Sequence, residues 1–289
     1  MNFGKLLTAM VTPFDSKGNI DFNRTTKLIN YLIDNGTDGL VVAGTTGESP
    51  TLTSEEKLAL FKHTAKVSDG RVPVIAGTGS NNTHASIEFT KAAAETGVDA
   101  VMIVAPYYNK PSQRGLYEHY KAIAGSTKLP VMIYNIPGRS VVNMTAETII
   151  ELSKIENIVS VKEASGDLDQ MSEIISKTDD SFTLYSGDDG MTLPVMSIGG
   201  NGVISVAAHV IGNEMAEMID AFETGDISKA AGIHRKLLPV MRELFRAPSP
   251  TPVKTALQIK GMDVGSVRLP MIPLSKDERE ELTKVLLSL

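Results

Sequence analysis

Eight short apolar runs, rich in Val and Ile, recur along this chain about thirty residues apart, the repeat of one strand with its crossover helix. They read LLTAMVTPF (6 to 14), GLVVAG (39 to 44), VPVIAGTG (72 to 79), AVMIVAP (100 to 106), PVMIYNIP (130 to 137), IVSVKEAS (158 to 165), FTLYSGDD (182 to 189) and GVISVAA (202 to 208). Gly, Pro or polar turn residues follow each run, and amphipathic stretches lie between them. TSEEKLALFKHTAKVS shows how such a stretch begins: Thr53, with Glu56 three residues later, is a capping-box pattern. Eight strands alternating with helices predict an α/β fold, a (β/α)8 TIM barrel. An open doubly wound sheet fits less well, because the Gly-rich fingerprint GxGxxG is missing from the first turn. After residue 209 the pattern reads as wholly helical, through EMAEMIDAFETG, ISKAAGIHRKLLPVMRELF, PVKTALQIKG and 275 to 287. We assign residues 1–224 to the barrel and 225–289 to a C-terminal helical extension packed on it.

Charge and composition exclude several partners. With 28 Lys and Arg against 34 Asp and Glu, the net charge of −6 lacks the cationic surplus that nucleic-acid binding needs. No cysteine is present, which removes disulfides, thiolate zinc sites and a cysteine nucleophile, and fits a reducing cytoplasm. The opening MNFGKLLTAMVTPFDSKG has no basic start followed by a long apolar run, and no segment approaches the length of a membrane span. Neither export nor a membrane span is expected. The five histidines, His63, His84, His119, His209 and His234, show no paired metal-ligand spacing, so no metal is expected.

Within IVSVKEAS one charge interrupts an otherwise buried strand. In such barrels side chains alternate between the interior and the helix-facing side, and functional groups sit at the C-terminal strand ends. Turning Val159 and Val161 toward the helices places Ser160, Lys162 and Ala164 inside. The same alternation in PVMIYNIP sends Val131 and Ile133 outward and leaves Met132 and Tyr134 inside, with Tyr134 next to Lys162. Burial disfavours an ammonium group, and the neutral amine is the nucleophile. At the ordinary lysine pKa of about 10.4 only about one amine in a thousand is neutral near pH 7.4. A buried lysine at a strand end is therefore a candidate for Schiff-base formation with a carbonyl. An ion pair with Glu163 or a nearby Asp is the plainer alternative, weakened because alternation turns Glu163 to the other face.

Other strand ends carry further candidates. GTTGES (44 to 49) sets Thr45 and Thr46 between glycines, where hydroxyls and amides can hold a carboxylate or relay a proton. A plain turn, with Ser49 or Thr53 capping the next helix, accounts for the same residues. NIPGRS offers Arg139 at the barrel mouth, able to grip a carboxylate in bidentate fashion, although a surface role is the commoner one for an arginine. In APYYNKP, one of Tyr107 and Tyr108 is expected to pack and the other to be wet. SGDDG places Asp188 and Asp189 where many barrels bind phosphate, which argues against a phosphorylated substrate. GGNG (199 to 202) precedes the eighth strand and reads as a turn at the opposite face.

GTTGES, YYNKP, YNIPGR, VKEASGD, SGDD and GVISV, in that order and spacing across nearly the whole chain, resemble the class I pyruvate-dependent aldolase and lyase superfamily. The closest resemblance is to its dihydrodipicolinate synthase family. That resemblance implies condensation of pyruvate with L-aspartate 4-semialdehyde, the first committed step of diaminopimelate and lysine biosynthesis, with no metal or organic cofactor needed. Lys162 would form an imine with pyruvate, and Thr45, Tyr134 and Tyr108 would relay protons. Tyr108 would be lent across a tight dimer interface within a homotetramer. Thr46 would hold the pyruvate carboxylate and Arg139 that of the semialdehyde, while Gly187 and Ile204 would complete the pocket through backbone atoms. Sialic acid lyases and keto-sugar-acid aldolases share the lysine, the tyrosine and a Gly-rich loop. The doubled threonine and Arg139 favour the synthases over them. A non-catalytic reading, a sensor or scaffold with Lys162 in a structural ion pair, also remains.

One departure concerns regulation. Lysine-inhibited relatives carry histidine and glutamate ligands near the dimer-interface cleft, and the matching positions here are Ser54, Lys57 and Ala85. Ser49, Asn81 and Tyr107 remain. A bound lysine would lose its carboxylate partner and meet a like charge, so weak or absent feedback is expected.

Overall fold

The computed structural model describes residues 3–289. Each of the eight apolar runs holds one strand: β1 (Leu6–Ala9), β2 (Gly39–Val42), β3 (Val74–Gly77), β4 (Ala100–Val104), β5 (Val131–Asn135), β6 (Ile158–Glu163), β7 (Thr183–Ser186) and β8 (Gly202–Ser205). They pair in parallel, in chain order, and β8 closes on β1 to complete the predicted barrel. Because helices cover the outside, both faces of every strand are buried, which is why the runs are continuously apolar rather than alternating with polar residues.

Two apolar layers result. Leu7, Val41, Ile75, Met132, Tyr185 and Ile204 fill the barrel interior, while Leu6, Leu40, Ile133, Val161 and Val203 pack outward against the helices. Tyr134 and Met132 lie inside, as alternation requires. Val159 does not follow expectation. The β5–β6 ladder pairs Val131 with Ile158 and Met132 with Ser160, skipping Val159. That one-residue bulge breaks the alternation, so Val159 packs against the interior cluster instead of the helices, whereas Val161 and Lys162 keep their expected faces.

The helix Ser54–Ser68 starts with the full capping box between Thr53 and Glu56. Beyond β8, the helix Ala208–Glu223 completes the eighth unit, and helices Ile227–Glu243, Thr251–Ile259 and Lys276–Leu287 follow. The chain after residue 209 is not wholly helical, however. Residues 260–275 run as an irregular strap, because Gly261 (φ +86°) and Gly265 (φ +72°) take left-handed conformations and Pro270 and Pro273 lack amide donors. A Cβ at Gly265 would lie 2.0 Å from the Phe14 carbonyl oxygen, so the strap lies directly on the chain that follows β1. Among the described residues no helix is long and apolar enough to cross a membrane.

Candidate active site

Register sets the centre of the site. Tyr134 on β5, Lys162 on β6 and Tyr185 on β7 lie side by side. Lys162 is only 6% exposed, and its Nζ lies 4.3 Å from the centroid of the Tyr134 ring. The quadrupole of that ring favours a cation over its face. Among the described residues no carboxylate forms an ion pair with Lys162. Glu163 points the other way, accepting from Asn135 Nδ2 (3.0 and 3.1 Å), Ser165 N (2.8 Å) and Gln170 Nε2 (3.2 Å). Its full burial raises the carboxyl pKa despite those bonds. The ion-pair alternative for Lys162 with Glu163 is thereby removed.

Gly187 lies against the lysine stem: an added Cβ would sit 3.2 Å from Lys162 Cε and 2.7 Å from Ala164 Cβ. Ile204 is buried in the interior layer. A cavity of about 290 Å³ is lined among others by Gly44, Thr45, Tyr134, Ile136 and Arg139; its wall does not include Lys162, Thr46, Gly187 or Ile204, and Lys162 adjoins it through the ring of Tyr134. The Gly44–Gly47 loop is bracketed by Ala43 (φ +51°) and Glu48 (φ +57°), non-glycine residues in the left-handed region. Thr46 is buried, and Thr12 Oγ1 donates to the Gly47 carbonyl at 2.6 Å. Helix capping falls to Thr53 alone of the two candidates, which leaves Ser49 to line the cavity. Arg139, in the short helix Pro137–Ser140, is exposed on the cavity wall.

Tyr108 does not join the others within one chain. It is 88% exposed and its backbone has a φ of +73°. Tyr107, 41% exposed, is the one that borders the cavity. The expected packed tyrosine is absent: both rings are exposed, in a loop with left-handed backbone at Tyr108 and Lys110 that is tied at the rim by Asn81 Nδ2 donating to the Tyr107 carbonyl (3.1 Å) and Asn109 Nδ2 donating to the Asn81 carbonyl (2.9 Å).

The sequence profile of the dihydrodipicolinate synthetase family matches residues 2–289. This chain belongs to that family. It is 62% identical over 286 residues to a 4-hydroxy-tetrahydrodipicolinate synthase of Bacillus velezensis, covering 99% of each chain, and 61% identical to that of Bacillus subtilis over 99% of each. Its fold superposes on the crystal structure of a dihydrodipicolinate synthase from Bacillus anthracis with a TM-score of 0.99, at 65% identity and covering 100% and 99% of the two chains. The enzyme of Cyanidioschyzon merolae, solved with lysine bound, matches with a TM-score of 0.97 at 45% identity, covering 99% and 98%.

Within this family member the remaining candidates have structural posts. Asp189 is buried and accepts from Ser205 Oγ (2.5 Å), Val206 N (3.2 Å) and Ala207 N (3.0 Å), closing the start of the helix Ala208–Glu223. Burial pushes its carboxyl up to about 6. Asp188 accepts from Gly190 N. GGNG turns into β8 as expected, with a Cβ at Gly202 only 2.0 Å from the Lys5 carbonyl oxygen. All five histidines are helical, and His209 is buried between Val11 N–H, which donates to Nε2 (3.1 Å), and the Val206 carbonyl, which accepts from Nδ1 (2.8 Å). Burial holds its pKa near 4. Among the described residues no three His, Asp or Glu side chains converge as metal ligands would.

Sequence reasoning assigned no role to Glu48, Lys254 or Arg268. Glu48 and Lys254 are each 2% exposed and lie 2.6 Å apart as an ion pair without hydrogen-bond alignment. Lys254 donates instead to the Ser266 carbonyl (2.8 Å). The Phe14 ring contacts both Lys254 Nζ (4.1 Å from the ring centroid) and the Arg268 guanidinium (4.4 Å). Burial holds Lys254 down to about 8 although the Glu48 carboxylate raises it. The signal available in the sequence was a lone charge in the apolar stretch TPVKTALQI.

Proposed function

We propose that this chain condenses pyruvate with L-aspartate 4-semialdehyde to 4-hydroxy-tetrahydrodipicolinate through an imine on Lys162, the first committed step of diaminopimelate and lysine biosynthesis. The observation that carries the reading is a buried lysine with no carboxylate partner, at the C-terminal end of β6, whose amine lies against the ring of Tyr134, a residue that lines one cavity with Thr45 and Arg139. The family and the names of its highly identical relatives supply the reaction class.

The Lys162 amine adds to the pyruvate ketone, and loss of water gives the protonated imine. That imine accepts electrons when a methyl proton leaves, forming an enamine. The enamine carbon attacks the aldehyde, whose oxygen takes up a proton. The amine of the second substrate then displaces Lys162 at the imine carbon, closing the ring and freeing the lysine. One water is released overall. Thr45 and Tyr134 serve as proton relays, since a hydroxyl both donates and accepts. Thr46 and its loop amides receive the pyruvate carboxylate, and Arg139 receives the carboxylate of the semialdehyde. Gly187 leaves room beside the lysine stem, and Ile204 closes the floor.

Tyr108 serves a second copy of the chain within a homotetramer. Its 88% exposure, with Leu269 at 78% and Ile272 at 66%, supports an interface of that kind. Mixing inactive Lys162→Ala and Tyr108→Phe subunits should restore activity, because some sites then receive both groups. No recovery on mixing would reject the shared site.

The central test is borohydride reduction in the presence of pyruvate, followed by mass spectrometry. The expected adduct maps to Lys162 and is lost in Lys162→Ala. A wild-type enzyme without an adduct would overturn the imine mechanism. Product formed only with a sugar aldehyde would overturn the choice of second substrate.

A further inference from the structure

The Gly44–Gly47 loop is held in a conformation its own residues do not favour. Left-handed backbone at Ala43 and Glu48 crowds a side-chain Cβ, so it persists only where surrounding contacts enforce it. The contacts at Glu48 come from the C-terminal extension. Glu48 Oε1 pairs with Lys254 on the helix Thr251–Ile259, and Oε2 accepts from the backbone N–H of Arg268 on the strap at 2.8 Å. Arg268 continues the attachment, donating through Nη1 to the Thr51 carbonyl (2.7 Å), through Nη2 to Glu56 Oε1 (2.5 Å) and through Nε to the Gly18 carbonyl (2.8 Å). The link to the threonines is short: Glu48 N–H donates to the Thr45 carbonyl at 3.1 Å.

We infer that the buried Glu48–Lys254 pair, with the Arg268 amide, is a positioning clamp through which the C-terminal extension holds Thr45 and Thr46 in place for pyruvate. The inference rests on the function proposed above. None of the three residues touches substrate; each acts through the loop backbone. A pair that served stability alone would be replaceable, since two buried charges exchanged together for neutral groups of similar size commonly leave stability unchanged, whereas removing one partner strands the other. A clamp is not replaceable in that way.

The experiment compares wild type, Lys254→Met, Glu48→Gln and the double variant as full chains, reading the melting temperature, the KM and kcat for pyruvate, and the rate of borohydride-trapped adduct on Lys162. Lys254→Met should melt well below wild type. The double variant should recover to within about 4 °C of wild type. It should nevertheless keep a loss in kcat/KM for pyruvate of about 10- to 100-fold, dominated by KM, with adduct formation slowed to match. Recovery of both stability and pyruvate kinetics in the double variant would overturn the inference. Where the double variant does not fold, Glu48→Gln alone decides: it retains an acceptor for the Arg268 amide, and a pyruvate KM equal to wild type would overturn the clamp. Failure of wild type itself to form the Lys162 adduct would count against the proposed reaction instead, so the two failures are distinguishable.

Discussion

Replacing Gly187 by alanine adds one methyl group at the most crowded point beside the proposed nucleophile. The new Cβ would meet Ala164 Cβ at 2.7 Å and Lys162 Cε at 3.2 Å, where carbon atoms normally approach no closer than about 3.5 Å. Relief requires Ala164 to retreat by about 0.8 Å and the lysine stem by about 0.3 Å or more. Overpacking on this scale costs about 1–3 kcal/mol of stability. Its effect on rate is larger, because a reacting amine displaced by a fraction of an ångström to 1 Å loses up to about 100-fold. The assay is the time course of the reduced pyruvate adduct, read by intact mass, beside the melting temperature. Gly187→Ala should remain folded and form the adduct about 10- to 100-fold more slowly. Adduct formation within twofold of wild type, in a folded variant, would refute the idea that the space at Gly187 sets the position of Lys162.

Three further outcomes follow from the same coordinates. Gly232, inside the helix Ile227–Glu243 with nothing within 4 Å of an added Cβ, should become alanine with a gain of about 0.5–1 kcal/mol and unchanged kinetics; a destabilised Gly232→Ala would contradict the open geometry. His209 titrates near 4 when folded and near 6.5 when unfolded, so its contribution is complete above pH 6.5 and is lost as the pH falls toward 4, by about 3 kcal/mol. In His209→Gln, the acid-side decline in unfolding free energy between those pH values should therefore be smaller by about that amount at fixed protein concentration, and an identical decline would refute the linkage. Finally, Lys57 borders the cavity and Ala85 offers no carboxylate, so millimolar L-lysine should leave the initial rate unchanged; an inhibition constant below a millimolar would refute this.

The barrel was legible because strands covered on both faces are written as unbroken apolar runs, and Lys162 was legible because a charge in such a run has nowhere to go but inside. The bulge at Val159 leaves no comparable mark: Val-Ser-Val alternates like any strand, and only pairing with β5 reveals the skipped residue. Lys254 shows how the same signal fails in a helix. One lysine in a helical stretch reads as a solvent-facing position, because an amphipathic helix is expected to expose one side. The helix Thr251–Ile259 is instead covered by the strap, and seven of its nine residues are buried. Burial alone therefore does not identify a nucleophile in this protein, where two lysines are buried among the described residues. What separates them is the partner: Lys254 has a carboxylate at 2.6 Å and a carbonyl at 2.8 Å, so its amine is engaged on both counts. Lys162 has only the aromatic face of Tyr134 against its amine, which on the proposed mechanism leaves its lone pair available to a carbonyl carbon once the proton is gone.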